Sequence, residues 1–363
     1  NLALDGGWPT VPSGPVLHPG EVDDRVPILR ERLRTEGYEV PPAGPAPAEI
    51  DPEAGSEPDV SYGSELEKAV RSFQHRHGLD GDGVIGPQTL QALNVTADAR
   101  ADQIALNMER WRWLPEELGS PHVLVNIAGF RLDVVEDGRS VMDMRVIVGR
   151  PYRTTPVFSD RISYLVFSPY WNVPHSIATQ DILPRLKQNP AYLQEQNLRV
   201  LQGWGSDARP LDPASIDWSR LTAGHFPYRL RQEPGPSNAL GTVKFMFPNR
   251  FNVYLHDTPA RALFAQSVRT FSSGCIRIER PGELAAYLLR DQPGWTADKI
   301  EAARSAGSEQ TVHLTDPVPV HLLYWTAWVD DADTIHFHRD VYGRDVRLEG
   351  ALRERPPTVR TFP

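Results

Sequence analysis

The amino-acid sequence predicts an α+β fold, in which a small three-helix module precedes a mainly β domain that carries a helical and loop-rich insertion. Up to about residue 94, apolar residues recur at helical spacing, and from residue 121 they alternate along segments rich in Val and Ile. Residues 176–232 interrupt the β-rich part with helical, proline-broken sequence. A chain of 363 residues is long enough for two domains, each with its own hydrophobic core.

The helical module is expected over residues 24–96, after an extended Gly- and Pro-rich arm over 1–23. The segment DRVPILRERLRTEG places apolar side chains at helical spacing and ends at a glycine, a typical stop signal. A second helix is predicted over 63–77, with Ser64 as its N-cap and Glu67 completing a capping box.

The rest of the N-terminal part contains one more short helix and a connector. Residues 40–60 are predicted to be a Pro-, Ala- and acid-rich loop without a core-forming pattern. The segment GLDGDGVIGPQTLQALN leads through glycine turns into the third helix. Residues 97–120 are interpreted as a helical connector. Its Trp111 and Trp113 either line a saccharide groove or anchor the helix on a domain, and we favour anchoring.

The β-rich domain is expected over residues 121–345, with 346–363 as a C-terminal tail. The Asp137-Gly138 pair predicts a tight hairpin turn. Further strands are predicted in ISYLVFSPYWNV, VKFMFPNRFNVYLHD, CIRIER, VPVHLLYWTAWVD and TIHFHRDVYG. Two helices are predicted over 281–306, and the insertion is expected to be carried by the β strands on either side of it.

Charge, hydrophobicity and cysteine content limit the possible classes of function. The formal net charge of −9 gives no electrostatic support to nucleic-acid binding. No stretch approaches 18 consecutive apolar residues, so we expect no transmembrane helix in this chain. A single cysteine cannot form an internal disulfide, so cysteine usage does not identify the compartment.

That cysteine, Cys275, closes the segment FSSGC, and His256 precedes it in YLHDTP. A thiol acts as a nucleophile in its thiolate form, which needs a nearby base or positive charge. The backbone amides of Gly274 and Cys275 are candidate donors to an oxyanion, and Arg277 would share a strand face with Cys275. Spacing alone leaves both catalysis and simple packing of a lone cysteine open.

The segment YLHDTPARALFAQSVRTFSSGCIRIERP resembles the active-site segment of the YkuD-type L,D-transpeptidases, in which a His is followed by Ser/Thr-His-Gly-Cys. His256, Ser272, Gly274 and Cys275 match this pattern residue by residue, whereas Ser273 stands where the family usually has His. The segments SPYWNVPHSIA and VIVGRPYRTTPVFSD resemble the flanks of the longer, YcbB-like Gram-negative form. In that subfamily an insertion forms a capping subdomain over the active site, which implies the same role for the insertion here.

A second resemblance covers the helical module. PILRERLRTEGY, together with AVRSFQHRHGLDGDGVIGPQTLQALN, is similar to the type 1 peptidoglycan-binding domain, and DGVIGPQTLQALN is its most specific part. The two resemblances together cover about residues 24–345. Agreement between a catalytic motif, its flanks and an associated binding module is stronger than any one of them alone.

The resemblance implies acyl transfer in two steps. The Cys275 thiolate attacks the carbonyl of the peptide bond after meso-diaminopimelate in a donor stem peptide, releases the terminal D-alanine and forms a thioester. An amine of a second stem then converts the thioester into a cross-link. His256 is implied as the proton acceptor, its ring oriented by the backbone carbonyl of Asp257. Ser273, which lies inside the motif, is counted among the candidate catalytic residues. The candidate substrate contacts are Arg277, Tyr254, Trp171 and Asn172.

The resemblance also implies partners and a location. Peptidoglycan stem peptides and glycan are the expected partners, carbapenems are expected to acylate Cys275, and no cofactor or metal is expected. The implied location is the periplasm. No signal peptide or membrane anchor is apparent in the sequence, so any tether to the inner membrane is expected to lie outside this chain.

Two other functions stay open. A zinc-dependent cell-wall amidase would use His336 and His338, which share a predicted strand face, with His313 and His321 nearby in sequence, but an acidic companion at ligand spacing and an HExxH motif are absent from the sequence. A non-catalytic peptidoglycan-binding protein would leave Cys275 inert, and thiol reactivity distinguishes it from an enzyme.

Overall fold

The computed structural model describes residues 2–40, 59–203 and 208–354. Most of the loop predicted over 40–60 and the end of the tail predicted over 346–363 therefore lie outside the described residues. Over the described part the chain divides into two compact units. The first comprises Asn1–Glu116, Gln266–Val268 and Tyr324–Pro363, and the second comprises Glu117–Ala265 and Arg269–Leu323.

The order of helices and strands confirms the α+β prediction. The helices are α1 Val26–Thr35, α2 Ser64–Arg76, α3 Pro87–Leu93, α4 Ala97–Arg112, α5 His175–Ile177, α6 Leu183–Gln188, α7 Tyr192–Glu195, α8 Pro281–Leu289, α9 Ala297–Ser305 and α10 Arg344–Arg353. The first strands are β1 His122–Asn126, β2 Arg131–Glu136, β3 Arg139–Gly149, β4 Phe158–Phe167, β5 Trp171–Asn172, β6 Leu198–Gln202, β7 Arg209–Leu211 and β8 Arg229–Gln232. The remaining strands are β9 Val243–Met246, β10 Leu255–His256, β11 Thr270–Ser272, β12 Ile276–Ile278, β13 Gln310–Leu323, β14 Ala327–Val329 and β15 Ile335–Phe337. Among the described residues, we find no helix that combines the length and the apolar character needed to span a membrane.

The helices of the first unit enclose a small hydrophobic core. Leu29 and Leu33 of α1 pack in one buried cluster with Leu66, Val70 and Phe73 of α2, which is the result expected from their helical spacing. The second helix is thus confirmed.

The capping box predicted for α2 is wrong. Gly63 occupies the N-cap position, no side chain caps the helix, and Ser64 is already the first helical residue. The amide of Glu67 donates to the carbonyl of Gly63 at 3.0 Å, so the helix begins one residue earlier than the capping box requires.

Residues 324–345, which the sequence pattern groups with the β-rich domain, lie in the first unit. Arg76 of α2 donates to the carbonyl of Ile335 at 3.0 Å, and Gln103 of α4 donates to the carbonyl of Thr326 at 2.9 Å. These contacts join segments more than 200 positions apart, and no local pattern in the sequence indicates them.

The two tryptophans at the end of α4 have different surroundings. Trp111 stacks on Trp325 with ring centroids 4.3 Å apart, as expected for an anchor. Trp113 is exposed, and its indole donates to Glu109 on the same helix at 3.1 Å.

The second unit is organised around a nine-stranded sheet in the order β11-β3-β12-β10-β9-β4-β13-β1-β2. Strand β2 also pairs with β3, so the sheet curls back on itself. Phe245, Leu255 and Ile276 stand side by side on β9, β10 and β12 and are fully buried. The Asp137-Gly138 turn joins β2 to β3 with both residues at positive φ, which confirms the predicted hairpin.

Strands β11 and β12 flank opposite sides of β3, although only residues 273–275 separate them. β11 runs parallel to β3 as far as the pair Ser272–Gly149, and β12 returns antiparallel with Arg277 opposite Ile147. Residues 273–275 therefore cross over the end of β3. We call these three residues the nucleophile crossing, because its last member, Cys275, is the candidate nucleophile predicted from the sequence.

The insertion has a sheet and a core of its own. Its four strands lie in the order β5-β8-β6-β7, so it begins at β5, a few residues before the predicted boundary at 176. Leu186, Val200 and Leu230 are buried in its core. The part expected to be only loop contains β6, β7 and β8. These strands are short and mix apolar residues with Arg, Gln and Pro, so they give a weak strand pattern in the sequence.

Candidate active site

Cys275 and His256 belong to two adjacent parallel strands. His256 at the end of β10 pairs with Arg277 on β12, and Cys275 immediately precedes β12. The amide of Ile276 donates to the carbonyl of Tyr254 at 3.1 Å, which holds Cys275 beside Tyr254. Because side chains alternate along a strand, Cys275, Arg277, Tyr254 and His256 project to the same side of the sheet. The structure thus brings four of the predicted site residues together.

His256 is almost completely buried, with 4% of its surface exposed. Its Nδ1 lies 2.6 Å from the carbonyl oxygen of Asp257, and because a carbonyl only accepts, Nδ1 carries the hydrogen and Nε2 is left as an acceptor. Burial, followed by the charge of Arg277, lowers the pKa of His256 to about 3. The imidazole is therefore neutral near pH 7, with the lone pair on Nε2 ready to take a proton.

Cys275 is half-buried and keeps an exposed edge. Its thiol donates to the carbonyl oxygen of Asn252 at 3.8 Å and is hydrogen-bonded to the side chain of Tyr254. Burial raises the pKa of the Cys275 thiol, although the bonds to Tyr254 and the charge of Arg277 act in the opposite direction. The resting pair is thus a protonated thiol and a neutral imidazole, not an ion pair.

Two cations flank the histidine in the sheet. His256 stands between Lys244 on β9 and Arg277 on β12. Burial lowers the pKa of Lys244 and of Arg277. Within the described ranges, Nε of Arg277 is buried and has no hydrogen-bond partner. A partly buried cation with an unpaired buried donor favours an anionic group from outside the chain.

The nucleophile crossing is docked on the loop that follows β3. The amide of Arg150 donates to the carbonyl of Ser272 at 3.0 Å. The guanidinium of Arg153 donates to Oγ of Ser273 at 3.0 Å, and the hydroxyl of Thr155 donates to the carbonyl of Gly274 at 2.9 Å. Three successive residues before Cys275 are therefore each held by this loop.

The oxyanion role predicted for Gly274 does not agree with its hydrogen bonding. Gly274 has φ of 117°, a left-handed conformation that favours glycine, and its amide donates to Oγ of Ser272 at 3.0 Å. That Oγ in turn donates to the carbonyl of Cys275 at 2.5 Å. The Gly274 amide is thus turned into the loop, while the amide of Cys275 has no acceptor in the part of the chain that the structure describes.

Trp171 and Asn172 lie in the insertion rather than beside Cys275. They form β5, which pairs with β8, and the Trp171 ring packs against the core of the insertion. The side-chain carbonyl of Asn172 accepts from Arg229 at 3.3 Å. The described residues show no hydrogen bond or ring contact between this pair and Cys275 or His256.

The histidines considered for a metal site are dispersed. His336 is hydrogen-bonded to Asp330 at 2.7 Å and stacks on Trp328, and His321 bonds Ser159 at 2.8 Å. Across residues 2–40, 59–203 and 208–354, we find no group of three or more His, Cys, Asp and Glu side chains suited to hold a metal ion.

Arg153, Thr155 and Asn252 were not identified from the sequence. The first two lie in VIVGRPYRTTPVFSD, which resembles a family flank, but nothing in that segment indicates that it supports FSSGC. Asn252 has φ of 53° and offers its carbonyl to the thiol. A non-glycine residue in the left-handed region leaves no signal in a sequence pattern, although Asn adopts it more readily than most residues.

Comparison with known proteins agrees with this geometry. The L,D-transpeptidase catalytic domain (YkuD) matches residues 120–320, and the putative peptidoglycan-binding domain matches residues 22–93. A putative L,D-transpeptidase of Haemophilus influenzae is 36% identical over 275 residues, covering 74% of this chain and 54% of the relative. The chain thus spans about half the length of this curated relative.

Two solved structures that align with this chain show low similarity to it. The L,D-transpeptidase of Xylanimonas cellulosilytica is 18% identical with a TM-score of 0.26, covering 86% of this chain and 99% of the other. L,D-transpeptidase 3 of Mycobacterium tuberculosis, in complex with a faropenem-derived adduct, is 16% identical with a TM-score of 0.26, covering 56% of this chain and 60% of the other. TM-scores this low leave the assignment to the sequence matches, which confirm both resemblances. The chain belongs to the YkuD family of L,D-transpeptidases and contains a peptidoglycan-binding module.

Proposed function

We propose that this protein is an L,D-transpeptidase that cross-links peptidoglycan stem peptides through a thioester on Cys275. The observation that carries the proposal is the pairing of β10 with β12. This pairing sets the thiol of Cys275 on the same strand face as His256, whose Nε2 is an unprotonated acceptor. A nucleophile beside a base that a third group orients is the arrangement required for acyl transfer.

The first step forms the acyl-enzyme. Nε2 of His256 takes the proton of the Cys275 thiol while the sulfur bonds to the carbonyl carbon of the peptide bond that joins meso-diaminopimelate to the terminal D-alanine of the donor stem. The carbon–nitrogen bond to the terminal D-alanine then breaks, and the imidazolium returns its proton to the leaving amine. The Asp257 carbonyl stabilises the imidazolium, because it accepts from the Nδ1 hydrogen.

The second step reverses these roles. The amine of an acceptor stem attacks the thioester carbonyl, and His256 takes a proton from that amine. The carbon–sulfur bond breaks, the thiolate recovers the proton, and a new amide joins the two stems. Water in place of the amine would give hydrolysis by the same route.

Charge complementarity supports a role for Arg277 in substrate binding. Stem peptides carry carboxylates, and Arg277 offers a half-buried guanidinium whose Nε has no hydrogen-bond partner among the described residues. The Tyr254 side chain, already beside the thiol, is proposed as a second contact. The peptidoglycan-binding module is proposed to hold glycan, which would place the enzyme in the periplasm.

Intact-protein mass after incubation with a carbapenem tests the proposal. The carbonyl of a β-lactam ring acylates a nucleophile without releasing a fragment, so the adduct persists and adds the full mass of the drug. One adduct on the wild type and none on Cys275→Ala is expected, followed by cross-linking of purified disaccharide-peptides. A wild type that neither a carbapenem nor a small alkylating reagent modifies would have an inert thiol, and a purely wall-binding protein would then be the better description.

A further inference from the structure

A charged network joins the insertion to the nucleophile crossing. Arg153, in the loop after β3, makes an ion pair with Asp181 at 2.5 Å and donates to the side chain of Gln180 at 2.7 Å. The same guanidinium donates to Oγ of Ser273 at 3.0 Å. One side chain thus contacts the insertion and the residue two positions before Cys275.

The insertion side of this network has an unusual backbone. Gln180 and Asp181 lie in Ala178–Ile182, a π-helical turn between α5 and α6. Single π-helical turns within α-helices are rare and are frequent at functional sites, because they aim side chains in directions that a regular helix does not offer. Ala178 and Ile182 of the same turn are buried in the insertion core, so the turn is fixed from behind.

The direction of the hydrogen bond determines what Ser273 can do. A guanidinium has only donors, so Oγ of Ser273 is the acceptor and its own hydrogen remains for another group. No acceptor for that hydrogen is present among the described residues, and Ser273 is exposed. The hydroxyl is therefore a donor without a partner, polarised by a cation and located on the nucleophile crossing.

The crossing also needs such a donor. Acyl transfer requires donors aimed at the oxygen of the tetrahedral intermediate, and the Gly274 amide is already bonded to Ser272. The Cys275 amide alone provides one donor, whereas such sites commonly use two or more.

We propose that the Ser273 hydroxyl is the second oxyanion donor, held in place by Arg153 as a positioning residue that the insertion fixes through Asp181 and Gln180. This inference rests on the proposed acyl transfer at Cys275. It gives Ser273 a role where the family usually has His, and it gives the insertion a direct effect on the chemical step.

Two reagents separate this role from general support of the loop. Acylation by a carbapenem passes through an oxyanion, whereas alkylation by iodoacetamide forms none and reports only the reactivity of the thiol. Time courses of intact mass give both rates for wild type, Ser273→Ala, Arg153→Lys, Asp181→Asn and the double variant Arg153→Lys/Ser273→Ala. Asp217→Asn is the matched control, because Asp217 is an exposed carboxylate of the same insertion that pairs with Arg220.

Ser273→Ala is expected to slow acylation about 100-fold, the lower end of the loss for one oxyanion donor, with alkylation within about twofold of wild type. Arg153→Lys and Asp181→Asn are expected to slow acylation by smaller factors of about tenfold, and the control is expected to match wild type. The double variant is expected to be no slower than Ser273→Ala, because Arg153 acts through Ser273.

Three results would overturn the inference: unchanged acylation in Ser273→Ala, equal losses of acylation and alkylation in the variants, or multiplication of the two effects in the double variant. A wild type that iodoacetamide modifies but a carbapenem does not would overturn the proposed function as well. If only this inference fails, the carbapenem still acylates the wild type.

Discussion

At the scale of single residues, the site depends on a neutral pair. Burial raises the pKa of the Cys275 thiol and lowers that of the His256 imidazole to about 3, so neither carries a charge near pH 7. Proton transfer then accompanies the attack on the substrate instead of preceding it. The sulfur is protected from adventitious modification in the absence of an acyl donor.

The pH dependence of two reactions tests this description. Alkylation of Cys275 by iodoacetamide is expected to be slow at pH 7 and to rise about tenfold per pH unit to beyond the ordinary thiol pKa of about 8.5, because it needs the thiolate. Carbapenem acylation is expected to be nearly flat from about pH 5 to 8, because His256 stays an unprotonated base far below this range. An alkylation profile with an inflection near pH 6 would indicate a thiolate–imidazolium pair instead.

Arg277 is expected to act on the histidine as well as on the substrate. Its charge lowers the pKa of His256, so Arg277→Gln should raise that pKa from about 3 towards the ordinary value. Imidazole carbon shifts of labelled histidine, followed against pH, measure the change. Arg145→Gln, which removes a surface arginine paired with Glu279, is the control and should leave His256 unchanged.

The same variant tests substrate binding. Loss of a charge-assisted hydrogen bond costs about 1.5–3 kcal/mol, so Arg277→Gln should raise KM for a donor stem peptide about tenfold or more. An unaltered KM would show that Arg277 does not bind a substrate carboxylate. An equal rise in KM for a donor that lacks free carboxylates would show the same.

Only part of the site is visible in the sequence. Cys275, His256 and Arg277 lie within one motif, so a local resemblance identifies them together. The residues that hold the crossing lie outside this motif. Arg153, for example, is 120 positions from Ser273, and only the fold brings them together. The hydrogen bond from the Gly274 amide to the Ser272 hydroxyl is likewise not apparent in the sequence, because it depends on the conformation of the loop.

At the scale of elements, the strong periodic patterns gave correct predictions and the weak ones did not. The apolar residues at helical spacing in α2 and the Asp137-Gly138 hairpin are local signals, and the structure contains both. β7 is a short, polar edge strand, so its pairing with β6 depends on the insertion core and not on alternation of its own residues.

The crossing requires a glycine at position 149, the last residue of β3. A Cβ at this position would overlap the carbonyl oxygen of Arg153 and lie 2.8 Å from the amide of Thr155. Gly149→Ala should therefore push away the loop that holds residues 272–274, costing about 1–3 kcal/mol of stability and most of the acylation rate.

Urea unfolding and carbapenem acylation measure the two effects of Gly149→Ala. Gly224→Ala is the matched control, because a Cβ at Gly224 meets nothing within 4 Å. If both variants unfold at the same urea concentration and acylate at the same rate, the close approach at Gly149 has no energetic consequence.

At the scale of the whole molecule, buried neutral imidazoles make the free energy of unfolding depend on pH. His256 in the second unit and His77 in the first both have pKa values well below the ordinary 6.5, mainly because of burial. Below about pH 6.5 the unfolded chain binds protons at these residues that the folded chain does not, and for His256 this window extends down to about pH 3. Stability therefore rises with pH in this window and falls as pH is lowered through 6.5.

His256 alone should account for about 2–3 kcal/mol of destabilisation at pH 4.5 relative to pH 7, from a shift of about two units below 6.5 at that pH. Urea unfolding of the wild type and His256→Gln at both pH values measures this, and the variant should lose less stability on acidification. His225→Gln, at an exposed position, should behave as the wild type. Equal acid sensitivity of His256→Gln and wild type would contradict the assignment.

The crossing over β3 has a consequence for biosynthesis. β3 emerges from the ribosome long before β11 and β12, which flank it, and the whole insertion is made in between. Contacts of such long sequence separation form late, since much chain entropy must be lost first. The nascent enzyme therefore carries an unassembled catalytic centre until β12 has been synthesised, and a chain that stops before Ile276 cannot acquire one. Assembly of the site is thus one of the late events in the folding of this unit.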